Sequence, residues 1–222
     1  PAHWVNAFVV QSFLDEIAHE TGQDPLALRL EMLGRIDEQP YDGHGGPIMT
    51  PGRLARLLKF VAERIGYGKK RVSGRGVGLA AHFTFGGYAA HAIEVSVNES
   101  GDLTIERIVA AIDCGFAVNP NAVQAQLEGG TIDGLSTALG LEITVNDGRV
   151  LQRNFTDYPL MKIDRVPALF EAHILNYDDT PTGVGEIGPP PAAPALTNAI
   201  FDATGIRIRK LPIADQIKEE MT

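Results

Sequence analysis

Residues 180–200, "TPTGVGEIGPPPAAPALTNAI", set one carboxylate, Glu186, among three glycines, Gly183, Gly185 and Gly188. Glycine lets a backbone turn tightly and approach a ligand, because no Cβ intervenes. A carboxylate on such an elbow, if desolvated, is equipped to act as a general base. A helix expected from about Pro194 to Thr204 follows, and its free amides would face anionic groups. The same residues also allow a plain surface loop with a solvated glutamate.

The second segment with chemical potential is "DCGFAVNPNAVQAQLEGGTIDGLSTALGLE", Asp113 to Glu142. A strand is expected to end at Asp113, and a helix from about Asn121 to Leu141 carries Gln126 in its early turns. Gly129, Gly130 and Gly134 lie inside that helix, where each glycine costs roughly 1 kcal/mol against alanine. Close approach of a ligand or of another backbone would offset that cost. Gln126 offers both donor and acceptor, as a residue that binds a heterocycle should. A tight helix–helix contact beside an exposed glutamine is the competing reading.

Positioning these groups is the task of the remaining elements. Val9, Val10, Phe13, Leu14, Ile17 and Ala18 recur at helical spacing, and Gly22 is placed to stop that helix. Asp24 and Pro25 open a second helix ending near Gly34, and a third runs from Thr50-Pro51 to Gly66. The turn-rich "DEQPYDGHGGP" lies between them. From about Lys69 the texture changes: "GVGLAAHFTF", "AHAIEVSV" and "DLTIERIVAAID" read as strands. "EITVNDGRVLQ" reads as a hairpin, "FEAHILNY" as a short strand and "IRIRKLPI" as a final one. The expectation is an α+β fold with a mixed, largely antiparallel sheet and packed helices. Residues 1–68 form a helical segment leading into a core at 69–222.

Composition narrows the classes. The 222 residues are 44% hydrophobic and 21% charged, ordinary for a globular domain, and the net charge is −9. An acidic chain without a basic stripe argues against nucleic acid or an anionic membrane surface. No apolar run is long enough for a membrane span. One cysteine, Cys114, excludes an internal disulfide and a cysteine-rich metal site. His3, His19, His44, His91 and His173 show no ligand spacing, so a zinc site is not expected. His82, Phe83 and Phe85 border either a substrate pocket or the core. "GRGVG", Gly74 to Gly78, lacks the strand-then-helix context of a phosphate loop. A first residue that is proline suggests a piece of something longer.

Taken together, the two glycine-rich segments resemble the molybdopterin-binding large subunits of the xanthine dehydrogenase and aldehyde oxidase family. The beta subunits of isoquinoline 1-oxidoreductases are the nearest type. "DCG", "NP", "QLEGG" and "GL" match the family's cofactor-contacting strand, loop and helix in order and spacing. "GVGE" before a proline-rich run is similar to the loop bearing its catalytic glutamate, and "NAFVVQSFLDEIAHETGQDPLALRLEML" to its preceding helices. The resemblance runs nearly end to end and implies a C-terminal molybdopterin-binding domain.

It further implies Glu186 as the base, with Gln126, Gly183, Val184 and Gly185 contacting a molybdenum–molybdopterin cofactor in its cytosine dinucleotide form. No protein residue ligates the metal, so Cys114 is expected to be a half-buried structural thiol. The substrate would be an N-heteroaromatic or an aldehyde, oxidised with water-derived oxygen. The cofactor carries the hard chemistry and the protein orients it. Expected partners are the upstream half of the same subunit and a small iron–sulfur subunit carrying [2Fe-2S] clusters. The compartment would be cytoplasmic, or periplasmic for an exported parent. Ile187 stands where the family commonly has proline, which predicts a looser elbow. Because much of the pterin site lies upstream in that family, this chain alone is expected to lack cofactor. A non-catalytic docking domain is the other class to weigh.

Overall fold

A computed structural model describes residues 2–40, 48–175 and 178–221. Tyr41–Pro47, including His44, and Asn176–Tyr177 of the "FEAHILNY" segment lie outside the described residues. Three helices come first: α1 (Ala2–Glu20), α2 (Pro25–Gly34) and α3 (Pro51–Ile65). Asp24 caps α2 by accepting from the Ala27 N–H at 2.8 Å. Gly66 closes α3 at φ 73°, in the left-handed region that favours glycine.

Strands β1 (Arg75–Thr84), β2 (Gly87–Val97) and β3 (Leu103–Asp113) then form an antiparallel meander. Helix α4 (Pro120–Gly140) crosses over to β6 (Leu169–Ile174), which pairs parallel to β3. The sheet order is β1-β2-β3-β6, and β4 (Val145–Asn146) with β5 (Arg149–Val150) forms a separate small hairpin. Asp147 and Gly148 both turn through positive φ there, as a two-residue hairpin loop requires. The fold is α+β with a mostly antiparallel sheet, as the alternation of the strands indicates. Helices α5 (Pro189–Thr204) and α6 (Gln216–Met221) complete the chain.

Both sheet faces are buried. Leu54, Leu57, Leu58 and Val61 of α3 pack on Val77, Leu79, Ala90 and Val109. The opposite face, with Ala80, Ala89, Ile93 and Ile108, meets Leu127 and Leu135 of α4 and Ala195, Leu196 and Ala199 of α5. Alternate residues of each strand thus serve different helices. The "GRGVG" glycines receive a structural explanation here. A Cβ at Gly78 would lie 2.1 Å from the Ala195 carbonyl oxygen, and one at Gly76 would lie 2.4 Å from the Ala203 nitrogen. Helix α5 therefore rests on β1 backbone to backbone.

Three expectations are corrected. Helix α5 starts at Pro189, not near Pro194, because proline is tolerated in a first turn where its missing N–H has no intrahelical partner. Pro194 sits inside it. The alternating "IRIRKLPI" segment pairs with no strand. Its alternation instead buries Ile208 and turns Arg207 and Arg209 toward α1, where they bind Asp15 at 2.9 Å and Glu16 at 2.7 Å. Helix α1 exists, but its large apolar residues are not the buried ones. Val5, Val9, Val10 and Phe13 are more than half exposed, while Ala7, Gln11, Ser12, Asp15 and Ala18 face inward. Those inward polar groups are hydrogen-bonded, as burial demands. Arg29 donates to the Gln11 side chain at 3.1 Å and to its carbonyl at 2.7 Å, and Asn198 of α5 donates to the same carbonyl at 3.3 Å.

Candidate functional site

Glu186 lies in a turn directly before α5, on a loop fixed from three sides. Asp113, fully buried at the end of β3, accepts from Nε of Arg53 at 2.8 Å and from the Gly115 N–H at 3.1 Å. Arg53 also lies 4.6 Å over the Tyr88 ring and 3.4 Å from Asp179. The hydrogen bond to Asp113 lifts the Arg53 pKa above its ordinary value, so the guanidinium stays charged. The Phe116 N–H donates to the Asp179 carbonyl and the Thr182 N–H to that of Cys114, both at 2.9 Å. Gly115, at φ 69°, leaves no room for a Cβ, which would meet the Thr180 carbonyl at 2.4 Å. The "DCGF" turn is thus a clamp on the segment leading to Glu186.

The second hold is Ile187, 1% exposed, whose Cδ1 occupies the place a side chain on Gly87 would need. The expectation of a loosened elbow is therefore corrected: burying an isoleucine of this size anchors the loop by roughly 2 kcal/mol. The third is α4. A Cβ at Gly130 would meet the Pro189 ring at 2.9 Å, and one at Gly134 would meet the Pro189 carbonyl at 2.8 Å. Both glycines serve the helix–helix contact, whereas Gly129 has nothing within 4 Å. Further along, His91 of β2 bonds Thr131 of α4 at 2.7 Å, and Thr131 donates to the Leu127 carbonyl, so His91 is the donor. Burial drives the His91 pKa down to about 3.

These holds bring Glu186, Gln126 and Gly185 together around one open pocket of about 540 Å³, whose other walls are Trp4, Gly129, Gly130, Asp133 and Pro189. Gly185 sits over the Gln126 amide, with Nε2 3.9 Å from the place of a Cβ. Gly183 and Val184 lie beside the pocket rather than in its wall: Gly183 packs near Phe85 and Val184 against the core. Glu186 is solvent-exposed, so this chain by itself does not supply the desolvation expected of a base. The expected anion site at the α5 N-terminus is also corrected. Pro189, Pro190 and Pro191 occupy the first turn and have no N–H to offer.

Trp4 and Asp133 were missed by sequence reasoning. Asp133 lies seven residues beyond Gln126, two helical turns along the same face, a spacing that signals it in retrospect. Nothing local marks Trp4. Of the other candidates, Cys114 is 2% exposed, and burial pushes its thiol pKa up. Phe83 packs 4.9 Å from Tyr88, and His82 bonds His3 at 3.0 Å with its pKa lowered by burial to about 4. Neither residue, nor Phe85, lines the Glu186 pocket.

The pocket suits a large polar heterocycle. Its floor at Gly129 lacks side-chain atoms, and the Gln126 amide presents donor and acceptor. A family model described as a molybdopterin cofactor-binding domain matches residues 60–167, a span that includes Gln126 and ends before Glu186. A nicotinate dehydrogenase subunit from Pseudomonas putida is 31% identical over 226 residues, covering 94% of this chain and 18% of that protein. The beta subunit of isoquinoline 1-oxidoreductase from Brevundimonas diminuta is 33% identical over 211 residues, covering 93% of this chain and 25% of that protein. The chain thus spans about a quarter or less of these two sequence relatives. Aldehyde oxidoreductase from Desulfovibrio gigas superposes with a TM-score of 0.73 at 14% identity, over 99% of this chain and 41% of that one. That likeness concerns the fold. On these sequence relatives and the matched domain, the chain belongs to the molybdopterin-binding subunits of the xanthine dehydrogenase family.

Proposed function

We propose that this chain is the base-bearing part of a molybdenum hydroxylase subunit that oxidises an N-heteroaromatic or aldehyde substrate with water-derived oxygen. The observation that carries the reading is the convergence of Glu186 and Gln126 on one glycine-floored pocket. When bound, the molybdenum–molybdopterin group supplies the two-electron oxidation. Gln126 holds its polar edge through the side-chain amide, and the Gly183–Val184–Gly185 backbone flanks it. Glu186 accepts a proton at its carboxylate, from a turn that Ile187 and the Asp113 clamp keep in place.

The same reading takes in the cytosine dinucleotide form of the cofactor and an iron–sulfur partner subunit that carries electrons away. The upstream half of the subunit covers the pocket and supplies the desolvation that Glu186 lacks here. The exposed Val5, Val9, Val10 and Phe13 agree with such a cover. The compartment in this reading is the cytoplasm, or the periplasm for an exported parent. No helix among the described residues is long and apolar enough to cross a membrane.

Glu186→Gln in the full-length enzyme tests the assignment. A general base contributes about 10²–10⁴-fold, so turnover should fall at least about a hundredfold while molybdenum content stays at the wild-type level. Retention of more than about a tenth of the activity would remove Glu186 from the mechanism.

A further inference from the structure

The Glu186 pocket does not end at Trp4. This residue, half-buried on the first turns of α1, is also a wall of a second cavity of about 400 Å³ on its other side. Pro189 is likewise common to both. The second cavity runs between α1, α4 and the start of α5, and Phe8, Leu141, Ile143 and Leu211 give it an apolar character. Helix α1, which carries Trp4, is tied to the rest of the fold. His3 bonds His82 of β1, and farther along α1 the Asp15 carboxylate binds Arg207 at 2.9 Å. The indole therefore projects from a fixed helix.

Charge narrows what this wall can accept. The Glu186 pocket contains two carboxylates, Glu186 and Asp133, and Glu142 adds a third in the apolar cavity. Among the described residues, neither cavity is lined by a lysine, arginine or histidine. On the walls that this chain supplies, a ring bearing its own carboxylate would enter against like charge with no cation to receive it, and like-charge juxtaposition suppresses the wrong partner. A flat uncharged ring meets no such penalty. It gains the face of an indole, and any fused second ring or apolar substituent finds the cavity beyond.

We propose that Trp4 is the specificity-determining residue of this site, selecting uncharged, fused-ring aromatic substrates over carboxylated single rings. The ring stacks on the indole, directs its reacting carbon toward Glu186 and extends its apolar part into the cavity beside Phe8 and Leu141. This inference rests on the hydroxylase reading and narrows its substrate class.

In the full-length enzyme, the share of tryptophan emission that Trp4→Phe removes is that of Trp4 and reports the pocket. Titration with isoquinoline should quench that share saturably. Nicotinate should bind at least about tenfold more weakly, and Asp133→Asn should narrow the gap. In the full-length holoenzyme, Trp4→Ala should lower kcat/KM for isoquinoline about tenfold, the scale of an aromatic pair. The same variant should change kcat/KM for nicotinate less than about threefold, and Trp4→Phe should restore most of the loss. Absence of saturable quenching by isoquinoline, equal affinity for the two probes, or an unchanged kcat/KM ratio in Trp4→Ala would each overturn the proposal. The two readings fail separately. Glu186→Gln bears on the chemistry and leaves the quenching intact, whereas loss of ring selectivity with an active, Glu186-dependent enzyme removes Trp4 alone.

Discussion

Helix α4 carries a graded test in three glycines that share one helix and differ only in what they face. A Cβ at Gly129 meets nothing within 4 Å, so Gly129→Ala should simply recover helix propensity, about 0.5–1 kcal/mol. At Gly130 the new methyl comes within 2.9 Å of the Pro189 ring, whose pucker can yield somewhat. At Gly134 it comes within 2.8 Å of the Pro189 carbonyl and 2.9 Å of Ala192 Cβ, and the backbone of α5 must move. Overpacking costs about 1–3 kcal/mol, so Gly134→Ala should lose about 1–2 kcal/mol net of the propensity gain. Gly130→Ala should fall between. For a chain of this size about 1 kcal/mol moves Tm by roughly 2–4 °C, so thermal melts should rank Gly129→Ala above wild type and Gly134→Ala below it. Because α5 continues directly from the Glu186 turn, Gly134→Ala should also reduce turnover of the full-length enzyme. Equal stabilisation by all three alanines would refute the close α4–α5 packing and with it the account of how Glu186 is held.

Acid should expose the buried histidines. With the folded His91 pKa at about 3 and an unfolded value near 6.5, the unfolded chain binds the extra proton between those limits. The stability due to neutral His91 is complete above about pH 6.5 and declines as pH falls, by about 1.4 kcal/mol per unit. Urea titrations from pH 7 to 5 should show that slope, and His91→Gln should flatten it by one proton. An equal slope in that variant would disprove the burial argument. Gln126→Ala should cost roughly 1–3 kcal/mol of cofactor retention, seen as lower molybdenum and pterin content, and unchanged content would make Gln126 a packing residue. The 222-residue chain purified alone should fold without stoichiometric molybdenum or pterin, since a pocket this open makes part of the contacts only. Elemental analysis showing one molybdenum per chain would reverse that expectation.

The amino-acid sequence announced what local chemistry decides. Asp24-Pro25 marks a helix start by cap and fixed φ, and α2 begins there. The three long strands were legible from alternation and from the turns between them. The convergence of Gln126 and Glu186 on one pocket agreed with a resemblance carried by two short glycine motifs. What stayed hidden was set by contacts distant in sequence. The face that α1 buries is chosen by Arg29, Asn198 and Arg207, up to 192 residues away, so its own hydrophobic pattern points the wrong way. The "IRIRKLPI" alternation has the period of a strand, yet its arginines are spent on α1. Trp4 reaches the pocket only because α1 packs on α5. A carboxylate between glycines reveals its loop, but its exposure depends on what lies over it.

The seat of α5 on β1 has a consequence for how this sequence can drift. A side-chain clash is relieved by trimming the neighbour, so most tight positions in a core can change in pairs. At Gly76 and Gly78 the atoms in the way are main-chain atoms of Ala195, Asn198, Ala199, Asp202 and Ala203. No second substitution removes a main-chain atom, so these two positions have no compensating partner anywhere in the chain. A saturation library should return glycine alone at both, whatever else is randomised with it. The rim around Trp4 and Asp133 has no such constraint, because its neighbours are side chains and open space. Selection can therefore vary the Trp4 and Asp133 side chains while Gly76 and Gly78 remain locked, so the pocket rim should diversify faster than the seat of α5 on β1.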